Sequence, residues 1–131
     1  MPPLQEGARI FLADDDLVFR KQLRGWLESA YAPTHHRILL EAGTVFDALA
    51  FIPEQLETQK INAALIDDLF GEEIVGIQIV QAITDSGLPI AMLSCATVLP
   101  NYLKIHTGKD CIRIEAALNQ MFPPRHKRRR E

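Results

Sequence analysis

Two clusters of carboxylates stand out because each follows directly on a short apolar run. Arg9-Ile10-Phe11-Leu12-Ala13 stops at Asp14-Asp15-Asp16, and Ala63-Ala64-Leu65-Ile66 stops at Asp67-Asp68. Further along, Pro89-Ile90-Ala91-Met92-Leu93 ends at Ser94, and lysines follow at Lys104 and Lys109. Carboxylates packed into one pocket raise each other's pKa and cannot all stay ionised without a cation. The donors are hard oxygens with no His or Cys beside them, a set that suits Mg²⁺ held by carboxylates, a carbonyl and waters. A carboxylate held beside such an ion and a lysine can attack a phosphoryl group, since the cations offset the charge on the transferring oxygens. The product of that chemistry is an aspartyl phosphate.

The elements that must position these groups follow from periodicity. Apolar runs without alternation read as strands buried on both faces, here residues 9–13, 38–42, 63–66, 89–93 and, less apolar, 102–106. Between them, apolar residues recur every three or four positions. Asp16 caps a helix running to about residues 29–31 on Leu17, Phe19, Leu23, Trp26, Leu27 and Ala30, and Pro33 closes it. Thr44 caps a second on Val45, Phe46, Ala48, Leu49 and Ile52, interrupted by Pro53; the polar stretch 54–62 is a loop. Residues 69–76 form another loop, and Ile77, Ile79, Val80 and Ile83 a helix ending near Gly87. Ile112, Ile114, Ala117, Leu118 and Met121 mark the last helix. Strands alternating with helices imply a parallel sheet covered on both faces, with its ligand crevice at the carboxyl ends of the strands. About eight residues, 95–102, connect the last two strands, fewer than a helical crossover needs, and Pro100 lies among them. The fourth helix is therefore expected to be reduced or absent.

Composition limits the function. At 131 residues and 47% apolar, the chain has the size of one domain. No apolar run approaches the roughly 18 residues that cross a bilayer, and the first residues lack a signal-peptide pattern. The expectation is a soluble, cytoplasmic protein. The net charge of −3 conceals an acidic body and a basic end: residues 123–131 hold five of the 14 Lys/Arg and one of the 17 acids. Residues 1–122 are expected to form the domain and 123–131 a solvated, disordered tail too short of aromatics for specific DNA binding. Cys95 and Cys111 read as reduced structural thiols, and His35-His36 as surface. Blander readings exist for the site as well: the aspartates cap helices, Ser94 caps a strand end, and Lys104 lies on a solvated face.

The order Arg-Ile-Phe-Leu-Ala-Asp-Asp-Asp, Ala-Leu-Ile-Asp, Pro-Ile-Ala-Met-Leu-Ser and a late lysine resembles the receiver domain of two-component response regulators, over residues 8 to about 122. The resemblance implies an α/β fold with a doubly wound five-stranded parallel sheet of flavodoxin-like order 2-1-3-4-5. It implies that Asp14 and Asp15 are the acid pair, with Asp15 the more direct Mg²⁺ ligand, that Asp67 is the phosphoacceptor and a further ligand, and that Ser94 is the switch hydroxyl. The carbonyl of Leu69, or Asp68, would be an additional metal contact. On the same resemblance the pairing lysine would be Lys109 in preference to Lys104.

Two departures keep alternatives open. The family has a proline four residues after the acceptor and a glycine eight after it; here Gly71 occupies the first place counted from Asp67, and Gly76 lies nine on, so counting back from Gly76 favours Asp68. The Lys-Pro dipeptide of the family is missing. The implied function is a stand-alone phosphoacceptor in a phosphorelay, taking phosphoryl from a sensor histidine kinase or a histidine phosphotransfer protein. It would signal to a downstream protein target, as a monomer or homodimer, with no membrane contact and no dedicated enzyme activity beyond self-dephosphorylation. The alternative is a phosphorylation-independent pseudo-receiver acting as a binding module. A haloacid-dehalogenase-like phosphatase, which the acid pairs also resemble, is disfavoured because its Ser/Thr and Lys motifs precede the second acid pair.

Overall fold

A computed structural model describes residues 7–30, 34–67, 69–70, 73–74, 76–94 and 107–123. In chain order these form β1 (Arg9–Ala13), α1 (Leu17–Leu27), β2 (Arg37–Ala42), α2 (Val45–Ala50), α3 (Glu54–Thr58), β3 (Ala63–Ile66), β4 (Leu69–Phe70), β5 (Glu73–Ile74), α4 (Gly76–Ser86), β6 (Ala91–Ser94) and α5 (Cys111–Met121).

The four longer strands make one parallel sheet in the order β2-β1-β3-β6. This is the 2-1-3-4 core of the expected arrangement. The proposed fifth strand, residues 102–106, and the short connection before it lie outside the described residues. Side-chain alternation explains why the strands are apolar at every position. Ile10, Leu12, Ile38, Ala63, Leu65 and Leu93 face α1 and α5, where they meet Phe19, Leu23, Leu27, Ile114 and Leu118. Phe11, Ala13, Ala42, Ala64 and Ile66 face the other way, onto Ala48 of α2, Leu56 of α3 and Ile79, Val80 and Ile83 of α4. Each fully buried Leu, Ile or Phe contributes about 1.5–3 kcal/mol relative to exposure, so both faces hold the sheet in register. A one-residue slip would exchange the two sets.

Helix starts are fixed by side-chain caps. The Asp16 carboxylate accepts from the Phe19 N–H at 3.1 Å, Thr44 Oγ1 from the Asp47 N–H at 3.0 Å, and Asp110 Oδ1 from the N–H groups of Ile112 and Arg113 at 2.9 and 3.3 Å. None of the helices among the described residues is long and apolar enough to cross a membrane.

Several expectations need correction. The stretch 54–62 is not all loop: α3 forms there because Leu56, fully buried, anchors a single turn against the sheet. Residues 69–74 contain an antiparallel pair, Leu69 opposite Ile74 and Phe70 opposite Glu73. The fourth strand begins at Ala91, two residues later than its apolar run; Pro89 has no N–H to give a ladder. α1 stops at Leu27, earlier than its stripe suggested. Trp26 is 42% exposed and Phe46 81%, so neither is core. His36 is the opposite case. It is fully buried, its Nδ1 accepts from the Ala8 N–H at 2.9 Å, and its Nε2 lies 2.8 Å from Asn119 Oδ1. His35 stacks beside it, ring centroids 4.0 Å apart, with Nε2 2.7 Å from the Phe122 carbonyl. The pair fastens the start of β1 to the end of α5. Gly7 belongs to the same junction, where an added Cβ would lie 2.0 Å from the His35 carbonyl oxygen.

Candidate metal centre

The register brings the strand ends level. Ala13 of β1 pairs with Ile66 of β3, and Ile66 pairs with Ser94 of β6. The Asp67 N–H continues the ladder to the Ala13 carbonyl at 2.9 Å, and the Asp14 N–H reaches the Ala42 carbonyl at 3.0 Å. The chain therefore turns upward at Asp14 and Asp67 from adjacent strands, with Ser94 one strand further on.

Oxygens of Asp14, Asp15 and Asp67 lie within 4.8 Å of one another. Asp14 is fully buried, Asp67 nearly so at 8%, and Asp15 is exposed. Lys109, from the loop before α5, crosses the top of this group. Its Nζ is 3.1 Å from Asp14 Oδ1, 3.4 Å from Asp67 Oδ2 and 3.8 Å from Asp16 Oδ2, and it sits 5.4 Å from the centre of the Phe19 ring. Gly108, at φ +64°, turns the backbone to deliver it. The loop is tied down one residue earlier. Thr107, buried, donates its N–H to the Ser94 carbonyl at 2.9 Å and its hydroxyl to the Gly108 carbonyl at 2.9 Å.

The electrostatics are those of a site with too much negative charge. Burial, aided by the charge of Asp67, pushes the Asp14 carboxyl up to about 6, against the Asp16 N–H and Lys109, which pull it down. For Lys109, partial burial acts to lower the pKa, but the hydrogen bond and charge of Asp14, with Asp67 and Asp16, outweigh it and hold the ammonium above its usual range. Asp16 is lowered, first by the Phe19 N–H it accepts and then, against a small burial effect, by Lys109. Its role is the α1 cap.

The donor set fits a hard divalent cation on one observation above others: Asp14 Oδ2 is buried and has no hydrogen-bond partner among the described residues. A buried anionic oxygen left so is expensive. Oxygens around one Mg²⁺ stand roughly 3–4 Å apart, so the three carboxylates would need to draw in only slightly. Asp14, Asp15, Asp67, Ser94 and Lys109 are thus brought to one end of the sheet. Leu69 follows in β4, where only its backbone pairing with Ile74 is described; Lys104 and Asp68 lie outside the described residues. Thr107 was not assigned to the site from sequence, and Phe19 was read only as part of the apolar stripe of α1. The position of Thr107 two residues before Lys109 was the available signal.

No family model and no curated protein matches the sequence. Solved structures do match it. The signal receiver domain of a protein described as a Luxo repressor, from Vibrio parahaemolyticus, superposes with a TM-score of 0.64 at 12% identity, over 88% of this chain and 90% of that one. The response regulator domain of Thermotoga maritima CheB gives 0.61 at 15% identity, over 88% and 96%. The receiver domain of the Erythrobacter litoralis response regulator PhyR gives 0.57 at 16%, over 91% and 93%. The chain has the fold of response-regulator receiver domains.

Proposed function

We propose that this chain is a phosphoacceptor receiver that takes a phosphoryl group on Asp67 from the phosphohistidine of a sensor kinase or a phosphotransfer protein. The observation that carries the reading is the position of Lys109 Nζ between Asp14 and Asp67, within 3.4 Å of both carboxylates, beside the unpartnered Asp14 oxygen. In this reading Asp67 is the nucleophile, with the Lys109 ammonium and the metal ion as the cations beside it. Asp14, Asp15 and Asp67 would hold Mg²⁺, with the Leu69 carbonyl as a further contact. When bound, the ion supplies positive charge that stabilises the transferring phosphoryl oxygens. The Asp67 oxygen forms the new P–O bond as the P–N bond to the donor histidine breaks. Lys109 then exchanges part of its pairing with Asp14 for a phosphoryl oxygen. Ser94 offers its hydroxyl from the adjacent strand end, and through the Thr107 N–H any movement of Ser94 is passed to the Lys109 loop. Output passes to a downstream protein by an altered surface, in the cytoplasm.

The test is intact mass after incubation with Mg²⁺ and acetyl phosphate. Wild type should gain one phosphoryl group, and Asp67→Asn should gain none. No gain in wild type, with acetyl phosphate or with candidate kinases, would leave a phosphorylation-independent binding module in its place.

A further inference from the structure

A groove of about 740 Å³ lies between the middle of α1 and the first turns of α5. Its walls are largely apolar: Gly25 and Trp26 on one side, Cys111 and Ile112 on the other. Trp26 is 42% exposed and Ile112 66%, a large investment of apolar surface in water on adjacent helices. The charges around it are of one sign. Asp110 and Glu115 line it, and no lysine or arginine does among the described residues. The Trp26 indole is held in place, donating from Nε1 to Glu115 Oε1 at 2.8 Å. A half-exposed indole in a groove lined by two carboxylates suits a guanidinium, which stacks on the ring and pairs with the acids.

The same chain carries such groups. Arg125, Lys127, Arg128, Arg129 and Arg130 follow Pro123, which itself follows the end of α5. α5 has 11 residues and is about 16 Å long at 1.5 Å per residue. Residues 124–130 in extended form span roughly 23 Å at about 3.3 Å each. A segment turning back at Pro123-Pro124 would therefore run the length of α5 and bring its arginines beside Glu115, Trp26 and Asp110.

We propose that the basic segment 125–130 folds back along α5 and docks in the α1–α5 groove, with an arginine stacked on Trp26 and its neighbours paired to Glu115 and Asp110. The contact covers the apolar groove with the part of the chain whose charge complements it. It is independent of any event at Asp67, and salt weakens it, since its ion pairs sit at the surface.

Trp26 is the chain's single tryptophan, so its fluorescence reads the groove directly. The experiment is acrylamide quenching of the full chain at low salt, compared with a full-length R128E/R129E/R130E variant and with wild type in about 0.5 M NaCl, where the Debye length is only a few ångströms. Docking predicts a quenching constant roughly twofold larger in the variant and in high salt, as expected when a stacked cation is lost from a half-exposed ring. A Glu115→Gln variant, which keeps an acceptor for the indole N–H, should shift in the same direction. Equal constants in wild type and the charge-reversed variant would overturn the proposal. So would protection that grows with protein concentration, which would assign the groove to the basic segment of another copy. Because the readout needs neither Mg²⁺ nor phosphodonor, its failure is distinct from failure of the phosphoacceptor reading.

Discussion

The backbone N–H of Thr107 meets the carbonyl of Ser94 at 2.9 Å. With the Thr107 hydroxyl 3.4 Å from the same carbonyl, it joins the end of β6 to the loop that carries Lys109. It means that Ser94 and Lys109, on separate elements, belong to one mechanical unit. The Thr107 hydroxyl completes the unit by donating to the Gly108 carbonyl at 2.9 Å. Thr107→Val keeps the shape and the N–H bond but removes that donor. It should lower unfolding stability by about 1 kcal/mol in a urea titration, the usual net worth of such a bond. An unchanged midpoint and slope would show that the hydroxyl does not brace the loop.

Asp14 makes one contribution to the pH dependence of the metal-free protein. Its carboxyl is raised from 3.8 to about 6 in the folded chain, so the folded state holds a proton that the unfolded state has lost. Stability from this group is full below the unfolded value and is lost as pH rises through the folded one. The loss saturates at about 3 kcal/mol, from the 1.4 kcal/mol carried by each pKa unit. Urea unfolding in a chelator between pH 4 and 7 should show the decline, and Asp14→Asn should flatten it and be the more stable protein at pH 7. A wild-type profile that Asp14→Asn does not alter would contradict the account.

His36 works in the other direction. Burial is the main cause that lowers its pKa, with Asn119 opposing, and its Nδ1 is already used as an acceptor. Protonation must break that bond. Stability from His36 is present above the unfolded value near 6.5 and is lost as pH falls below it. Imidazole ¹⁵N spectra recorded against pH should therefore show His36 titrating below the ordinary value of 6.5, with the proton of the neutral ring on Nε2. A midpoint at or above 6.5 would mean the junction of Ala8, His36 and Asn119 is not closed in solution.

Lys109 holds Asp14 down by both hydrogen bond and charge. Removing it in Lys109→Gln should move the Asp14 titration to higher pH than in wild type, read from the carboxyl ¹³C shift. An unmoved or lower titration would place the ammonium elsewhere.

Asp15 is the exposed member of the acid group. Asp15→Asn should weaken Mg²⁺ binding by calorimetry at least about tenfold, or about 1.4 kcal/mol, while leaving stability in chelator within about 0.5 kcal/mol. Wild-type affinity in this variant would remove Asp15 from the ligand set.

What the sequence made legible follows the range of the interactions. Ile10 to Ala13 and Ala63 to Ile66 are apolar at every position, and that local pattern suffices to identify central strands and to place Asp14 and Asp67 at their ends. The short helix at Leu56 was not legible, since one buried side chain leaves no periodic trace. Nor was the burial of His36, which depends on Ala8 and Asn119 arriving from 28 and 83 residues away. Trp26 fits the apolar stripe of α1 by spacing, but it falls on the edge that α5 leaves open, and only the packing of α1 against α5 decides that. The strand-end carboxylates could be read singly as helix caps; Asp16 is one, accepting from Phe19. Asp14 and Asp67 are distinguished from it by burial, which no local pattern reveals.

The most direct test of the central claim maps the phosphoryl group itself. The chain is incubated with acetyl phosphate with and without Mg²⁺, the acyl phosphate is reduced with borohydride, and the labelled peptide is sequenced by mass spectrometry. The account predicts a Mg²⁺-dependent mark at Asp67. A mark at Asp68, at Asp14 or at Asp15, or the same labelling without Mg²⁺, would contradict it.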